Sequence, residues 1–285
     1  GGGLAGTALA SFLDASSIIL EKEDRAGGLC RSFDLNGIVY DVGPHIIFSK
    51  NKDVLDYHTR IIETNRIRRV NNILFRGRWI KYPFENDLAS LDAKDNEYCL
   101  QEFLNNPYER YNAENMLQFF LRQFGEGMTR LYLAPYNAKI WKFDPSCLDL
   151  QMVERIPKPP REDVIKASQG EATEGYTHQL FFNYPKVGGI QSLFDAYARR
   201  AAAKSSTITA CSIQKVAKVS DHWSIQTDQG EFHAQRLVNC MPIHALARVI
   251  DLPSEIRDTI DRLLYNSIHI CMVQVKEDLI GDRFA

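Results

Sequence analysis

The first six residues carry glycines at a spacing that suits the binding of a phosphate group. Gly1, Gly3 and Gly6 match the pattern G-x-G-x-x-G, and the small and apolar residues of 7–13 predict a short helix. The start of a helix leaves backbone N–H groups unpaired and carries the positive end of the helix dipole. Glycines allow a pyrophosphate to approach that end closely. The spacing therefore predicts a pyrophosphate-binding turn.

A carboxylate adds a second group to this candidate site. The apolar run 18–20 predicts a short strand, and Glu21 follows it, twenty residues after Gly1. In dinucleotide-binding folds an acid at about this distance binds a ribose hydroxyl. Together the glycines, helix, strand and acid predict a dinucleotide site, with a flexible glycine-rich terminus as the alternative.

Residues 25–48 contain two further turns with restricted geometry. Gly27 and Gly28 permit close backbone approach, and Pro44 stiffens the turn Gly43-Pro44-His45. The stretch RAGGLCRSFDLNGIVYDVGPHIIF resembles the FAD-binding region of the amine-oxidase-like flavoproteins. That superfamily includes monoamine oxidases, protoporphyrinogen oxidase, carotenoid desaturases and UDP-galactopyranose mutase. The resemblance covers most of the chain and is strongest over residues 1–48.

The resemblance implies FAD as the cofactor, with the glycine pair beside its ribose and phosphates and the Gly43 turn against the flavin ring. An ordinary glycine-rich loop is the alternative. His45 is a candidate proton donor or a structural histidine of that turn. The implied cofactor-binding residues are Gly1, Gly3, Gly6, Glu21, Gly27, Gly28, Arg31, Ser32, Gly43, Pro44 and Ile213.

Composition narrows the class of protein. The chain of 285 residues exceeds one typical domain, and its net charge of -2 argues against non-specific nucleic-acid binding. No apolar run approaches the ~20 residues of a membrane span. The composition is typical of an enzyme core and the scattered cysteines are typical of a cytosolic protein, so we expect a cytoplasmic enzyme with a small-molecule substrate. The oligomeric state stays open, and a homo-oligomer is one alternative. The six cysteines lack a C-x-x-C pair and are expected to be reduced and mostly buried, and the histidine spacing predicts no metal site.

The pattern along the chain predicts an α/β fold with interleaved domains. Residues 1–60 and 186–250 read as two parts of a Rossmann-like, GR2-type FAD-binding domain, and 61–185 as an inserted, mostly helical substrate domain. Residues 251–285 are expected to begin the substrate-domain sheet. Because the family places a strand before the first glycine and a flavin-contacting segment late in the chain, we expect a fragment that lacks the first strand and a C-terminal part.

Local signals predict several elements within these regions. Arg76-Gly77 is a candidate hairpin turn, and apolar residues at helical spacing predict helices over 114–141, interrupted at Pro135 and Pro145. Strands are expected over 207–234, with a turn at residues 228–230.

Two more runs are expected to be strands. Residues 236–242 resemble the family's strand that leads back toward the cofactor, and the apolar run 268–275 is strand-like.

The middle region resembles UDP-galactopyranose mutase. Tyr136 and Trp141, in YNAKIWKFDP, match aromatic residues that line the nucleotide and sugar pocket of the mutases, although packing in a core is an equal alternative for Trp141. Asn86, in YPFENDL, is a candidate substrate contact. Arg155, in ERIPKPP, matches a mutase arginine, and Arg161 is the second candidate catalytic arginine.

The chain departs from the mutase pattern at two positions. Pro159 stands where the mutases have a second arginine, so that Arg161 is displaced by two residues, and Ile190 stands where they have a tyrosine. The five arginines between 66 and 78 favour a solvated hairpin over a diphosphate clamp.

Three functions are therefore open. The first is a mutase-like enzyme, in which the resemblance implies that reduced flavin acts as a nucleophile and interconverts the ring forms of a UDP-sugar. The second is an FAD-dependent oxidoreductase of the amine oxidase, protoporphyrinogen oxidase or desaturase type. The third is an FAD-binding protein without catalysis.

Overall fold

The computed structural model describes residues 1–153, 156, 158–171, 173–174, 180–278 and 281. The chain forms two compact units. The first unit consists of Gly1–Ile67 and Phe182–Met272, and the second of Arg68–Phe181 and Val273–Ala285.

Helices and strands occur in both units. In chain order the helices are α1 (Leu4–Phe12), α2 (Lys52–Ile61), α3 (Ala93–Leu104), α4 (Met116–Met128), α5 (Ala134–Trp141), α6 (Arg161–Ser168), α7 (Gln191–Ala201), α8 (Ile243–Ala247) and α9 (Ser254–Asp261). The strands are β1 (Ser17–Leu20), β2 (Ser32–Leu35), β3 (Ile38–Asp41), β4 (Thr64–Arg68), β5 (Asn72–Phe75), β6 (Arg78–Lys81), β7 (Phe181–Pro185), β8 (Ser205–Ile208), β9 (Ile213–Val219), β10 (His222–Thr227) and β11 (Gly230–Ala234).

Short sheets organise the first unit. β1 pairs in parallel with β8, from Ser17 opposite Ser205 to Leu20 opposite Ile208. β2 and β3 form an antiparallel hairpin, and β9, β10 and β11 form an antiparallel sheet in the order β11-β10-β9. β4 pairs with β7. The parallel pair with its flanking helices is the part of the fold that carries the glycine turn.

Small residues bring α1 close to the parallel pair and to α7. Ala10 of α1, Ile19 of β1 and Ala201 of α7 form one buried cluster. A second cluster contains Ile47 and Ile190 together with two residues of α7. These two clusters pack α1, β1 and α7 together in the first unit.

Aromatic residues form the core of the second unit. Phe84 and the three phenylalanines of α4 are almost fully buried. Gly127 allows α3 and α4 to approach closely, since a Cβ at this position would lie only 2.7 Å from the Cα of Cys99. Gly125 has a φ of 73°, which interrupts the helical backbone of α4. Glycine adopts this left-handed conformation without steric cost.

Both predicted turns are confirmed, because their local signals demand particular backbone angles. Arg76 and Gly77 have φ values of 47° and 79° and join β5 to β6, as the hairpin turn requires. Residues 228–229 join β10 to β11. The predicted helices over 114–141 are present as α4 and α5.

Pro135 does not interrupt the helical path, contrary to our expectation. A π-helical turn, Thr129–Leu133, connects α4 to α5, and Pro135 lies in the first turn of α5. The N–H of Ala134, the residue before the proline, donates to the carbonyl of Thr129 five positions earlier, so the α-helical hydrogen-bond pattern is already replaced by a π-helical one where the proline N–H is missing. Pro145 does stand outside α5 and begins a short 3₁₀ turn.

The two apolar runs predicted as strands are not strands. Residues 236–242 and 268–275 have no regular secondary structure, and Ile268 is 83 % exposed. A strand is stabilised by a hydrogen-bonded neighbour. Within the described part of the chain, neither run lies in a ladder with another strand.

The cysteines are less buried than expected. All six are free thiols, but Cys99 and Cys211 are the buried ones, and Cys147 and Cys271 are exposed. Among the described residues, no helix is both long and apolar enough to cross a membrane. The same residues contain no group of three or more His, Cys, Asp or Glu side chains placed to hold a metal ion.

Candidate functional site

The glycine turn at the start of the chain meets the glycine pair of the next turn. The N–H of Gly27 donates to the carbonyl of Gly2 at 2.8 Å, and Gly3 precedes the first residue of α1. Gly28 has a φ of 56°, and a Cβ there would lie 3.1 Å from the Cα of Gly3. The two turns therefore pack backbone against backbone, which side chains would prevent.

The start of α1 offers backbone donors. Among the described residues, no side chain caps this helix at Gly3. The first N–H groups of a helix have no helical acceptor, and the helix dipole adds a partial positive charge. This end of α1 fits the pyrophosphate of a dinucleotide.

The carboxylate of Glu21 binds the backbone of the glycine turn. Its Oε2 accepts the N–H of Gly2 at 2.7 Å, and its Oε1 accepts the N–H of Glu23 at 3.0 Å. The residue is 8 % exposed. A carboxylate has about four acceptor positions, so these two bonds leave room for a ligand hydroxyl. The sequence pattern located this acid but not its bond to Gly2.

Gly1 and Gly6 pack against each other and against residue 240. A Cβ at Gly6 would collide with the carbonyl oxygen of Gly1, and a Cβ at Gly1 would lie 2.9 Å from the carbonyl oxygen of Cys240. The run 236–242 therefore passes beside the glycine turn, as the resemblance implied, although it is not a strand.

Arg31 and Ser32 both bind neighbouring protein groups. Arg31 donates from Nε to the carbonyl of Gly28 at 3.0 Å, next to the glycine pair. The hydroxyl of Ser32 donates to Oδ1 of Asp41 at 2.6 Å. Ser32 thus belongs to a hydrogen-bonded group around Asp41, which no sequence motif indicated.

The turn Gly43-Pro44-His45 follows β3 directly. Gly43 has a φ of 83°, and Pro44 is exposed. Nδ1 of His45 lies 3.0 Å from the carbonyl oxygen of Gly43. Since a carbonyl oxygen accepts and never donates, Nδ1 carries the proton in this bond. Nε2 of neutral His45 is then a hydrogen-bond acceptor.

Ile213 begins β9, close to the end of β1 in space. Two residues earlier, the N–H of Cys211 donates to the carbonyl of Glu21 at 2.9 Å. The structure therefore brings this candidate near the acid that ends β1, in the same unit as the glycine turns.

Three aromatic rings form a stack in the second unit. The ring centroids of Tyr132 and Phe84 are 4.7 Å apart, and those of Tyr132 and Tyr136 are 5.0 Å apart. Tyr136 ends the stack and is 40 % exposed, whereas Tyr132 is 8 % exposed. Burial raises the pKa of the Tyr132 phenol above its usual range, so this hydroxyl stays protonated. Tyr136 is therefore the exposed end of the stack.

Trp141 and Asn86 lie in different surroundings. The indole Nε1 of Trp141 donates to Oδ1 of Asn137 at 3.2 Å, and the ring packs in part against the core of the second unit. Asn86 is buried, and its Nδ2 donates to Oγ1 of Thr173 at 2.7 Å. Its role in substrate binding stays a prediction.

Of the two candidate catalytic arginines, Arg161 is part of the second unit. Arg161 is exposed at the start of α6, and its Nη1 lies 3.4 Å from the carbonyl oxygen of Leu104. Arg155 lies outside the described residues. In the hairpin region, Arg68 pairs with Glu174 at 2.9 Å. Arg76 pairs with Asp95.

Comparisons with known proteins agree with this geometry. Residues 1–61 match a family model described as an NAD(P)-binding Rossmann-like domain. A crystal structure of reduced UDP-galactopyranose mutase superposes with a TM-score of 0.82 at 26 % identity, covering 93 % of this chain. The chain belongs to the FAD-dependent amine-oxidase-like superfamily. The expected α/β fold and FAD as the cofactor are thereby confirmed, while the individual site residues stay predictions.

Two further proteins are similar to this chain. A double mutant of putrescine oxidase superposes with a TM-score of 0.58 at 14 % identity, covering 92 % of this chain and 62 % of that chain, which shows the fold alone. An uncharacterised protein of Methanothermococcus thermolithotrophicus, named for the region 3′ of nifH2, is 32 % identical over 100 residues, covering 34 % of this chain and 92 % of its own. This chain spans 59 % of the length of the mutase chain.

Proposed function

We propose that this protein is an FAD-dependent enzyme of the UDP-galactopyranose mutase type, which interconverts the ring forms of a UDP-sugar. The observation that carries the proposal is the TM-score of 0.82 with reduced UDP-galactopyranose mutase, at 26 % identity over 93 % of this chain. The oxidase compared above reaches 0.58.

The first unit binds the cofactor. The uncapped start of α1 holds the pyrophosphate, the glycines at 27 and 28 let the backbone approach it, and Glu21 accepts a hydrogen bond from the ribose. When bound in its reduced form, FAD supplies a nucleophile for covalent catalysis. His45 presents Nε2 as a hydrogen-bond acceptor at the turn after β3.

The second unit binds the substrate. Tyr136 stacks with the uracil ring through its exposed face, and Trp141 contacts the nucleotide from the end of the same helix. Arg161, together with the predicted Arg155, stabilises the negative charge of the diphosphate leaving group. Asn86 supports the substrate region from a buried position.

Two positions favour a second candidate. Pro159 replaces an arginine and Ile190 a tyrosine of the mutase pattern, and the side chain of Ile190 is buried in the core of the first unit. An FAD-dependent oxidoreductase does not require those two side chains. We keep this function as the alternative that the following experiment decides.

The redox state of the flavin separates the two functions. Protein reduced with dithionite under argon and given UDP-galactopyranose is expected to form the furanose isomer over many turnovers, with the flavin still reduced at the end. The same protein with oxidised flavin is the control and is expected to be inactive. Bleaching of oxidised flavin by an amine or a porphyrinogen, with no turnover of UDP-sugars by reduced protein, would establish the oxidoreductase instead.

A further inference from the structure

A carboxylate outside the predicted cofactor site joins three separate segments of the first unit. Asp41 is the last residue of β3. Its Oδ1 accepts the hydroxyl of Ser32 at 2.6 Å and the backbone N–H of Ile190 at 3.1 Å. Its Oδ2 accepts the hydroxyl of Tyr184 at 2.8 Å. The donors come from β2, from the residue before α7 and from β7.

Neighbouring groups make this arrangement specific. The N–H of Gln191 donates to Oγ of Ser32, and the N–H of Ser32 donates to Oε1 of Gln191, both at 3.1 Å. Gly189 has a φ of 64°, and a Cβ there would collide with the hydroxyl of Ser32 and lie 2.6 Å from Oδ1 of Asp41. Any residue other than glycine at position 189 would therefore push this segment away from Ser32 and Asp41.

The hydroxyl of Tyr184 stays a donor in this arrangement. Burial raises the pKa of the Tyr184 phenol, and the hydrogen bond to Asp41 raises it further. Because the phenol keeps its proton, the carboxylate of Asp41 has a hydroxyl donor on each side, Ser32 on one oxygen and Tyr184 on the other.

The same residue begins the turn that the resemblance places against the flavin. The N–H of Gly43 donates to the backbone carbonyl of Asp41 at 2.9 Å. At the other end of the turn, Ile47 and Asn183 exchange two backbone hydrogen bonds of 2.8 Å. Asn183 precedes Tyr184 on β7, so both ends of the segment 42–46 are anchored on this one strand.

We propose that Asp41 is a positioning residue of the cofactor site, whose carboxylate fixes the turn Gly43–His45 in its binding shape before FAD arrives. The proposal rests on the predicted contact between that turn and FAD. A turn that is ordered in advance loses less conformational entropy when the ligand binds, and this raises affinity. Removal of the carboxylate leaves the hydroxyl of Tyr184 and the N–H of Ile190 without their acceptor.

Titration of the apoprotein with FAD, followed by flavin fluorescence, tests the proposal. Asp41→Ala is expected to weaken FAD binding about ten-fold, because it removes three hydrogen bonds to a charged acceptor. Asp41→Asn is expected to stay within about three-fold of wild type, since its amide oxygen accepts from Ser32 and Ile190 while Tyr184 accepts from its NH₂.

The control is an aspartate of the same hairpin. Asp34 is exposed and accepts the N–H of Gly37 at 3.0 Å. Asp34→Ala is expected to bind FAD as wild type does. An equal loss of affinity in Asp34→Ala and Asp41→Ala would assign the effect to hairpin stability and overturn the proposal.

Hydrogen exchange of the apoprotein separates positioning from general stability. Asp41→Ala is expected to exchange faster at the amides of Gly43, Ile190 and Gln191, with β1 and β8 unchanged. Faster exchange throughout the unit would show a general structural role instead. Where Asp41→Ala does not fold, Tyr184→Phe removes one of the three bonds and is expected to weaken FAD binding about three-fold.

The outcome is independent of the proposed activity. If Asp41→Ala binds FAD within about two-fold of wild type, the proposed role of Asp41 is overturned, because the loss of these bonds should weaken binding more. Where Asp41→Ala does not fold, the same result for Tyr184→Phe overturns it. Wild-type protein that binds FAD but does not isomerise UDP-galactopyranose overturns the mutase function and leaves the role of Asp41 standing.

Discussion

The carboxylate of Glu21 accepts the backbone N–H of Gly2 at 2.7 Å, across nineteen positions of sequence. The acid that follows β1 therefore helps to shape the glycine turn, in addition to its predicted role as a ribose ligand. Its other oxygen accepts the N–H of Glu23, so both oxygens are already bound to backbone. Loss of this side chain should affect the turn and the ligand together.

Glu21→Ala is expected to weaken FAD binding about ten-fold, which corresponds to one or two charge-assisted hydrogen bonds. Fluorescence titration of the apoprotein with FAD measures the change. Glu23→Ala is the matched control, because Glu23 is an exposed acid in the same turn. Equal FAD affinity in Glu21→Ala and wild type would remove Glu21 from the cofactor site.

Two glycines with positive φ allow steric crowding to be separated from backbone strain. A Cβ at Gly28 would lie 3.1 Å from the Cα of Gly3, whereas a Cβ at Gly37 would have no neighbour within 4 Å. Both alanine variants are expected to lose about 1–2 kcal/mol of stability from the left-handed conformation. Only Gly28→Ala is expected to lose FAD affinity as well. Urea unfolding and FAD titration of both variants measure this, and equal FAD binding would contradict it.

Trp141→Ala tests whether this ring binds nucleotide or only packs. We expect an increase of about ten-fold in the dissociation constant for UDP, with FAD still bound, from the loss of an aromatic contact. Trp79→Ala, at a half-exposed position in the same unit, is the control. A loss of about 3–5 kcal/mol in the free energy of unfolding, together with loss of FAD, would instead place Trp141 in the core.

The cysteines should differ sharply in reactivity. Burial, and after it the negative charge of Asp95, together raise the pKa of Cys99 from its usual 9.0 to about 12. At pH 8, iodoacetamide is expected to modify the exposed Cys147 and Cys271 while Cys99 stays unmodified until the protein unfolds. Mass spectrometry of the digested protein measures this, and early modification of Cys99 would contradict it.

The same pKa makes stability depend on pH. Above pH 9 the thiol of Cys99 ionises in the unfolded chain but stays protonated in the folded one. The free energy of unfolding should therefore fall from pH 9 toward 12, by about 1.4 kcal/mol per pH unit from this group. Unfolding curves of wild type and Cys99→Ala across this pH range measure the effect. The contribution of Cys99 is the difference between their free energies of unfolding. A constant difference would show that Cys99 ionises alike in both states.

Local signals were sufficient for the parts of the fold that depend on neighbouring residues. The helix after Gly3 and the strand before Glu21 follow from apolar spacing and glycine placement within about twenty residues. The hairpin turn at Arg76-Gly77 follows from the positive φ that glycine permits. Each of these features is determined mainly by interactions along a short stretch of chain.

Other expectations failed where the answer depended on a distant partner. The runs 236–242 and 268–275 have the composition of strands, yet strand formation needs a neighbouring strand that composition does not specify. Pro135 is accommodated because the π-helical turn before it begins α5 at the right place. Propensity alone could not distinguish this from a break.

The sequence by itself determined that this protein carries a glycine turn, a helix start and an acid arranged for a dinucleotide. Only the tertiary structure showed that Asp41 meets Tyr184, 143 positions away, and the N–H of Ile190. Hydrogen bonds of that kind leave no periodic pattern in a sequence, because their partners are brought together by the packing of α7 and β7. The cofactor turn is a local motif, but what holds it in place is a property of the whole unit.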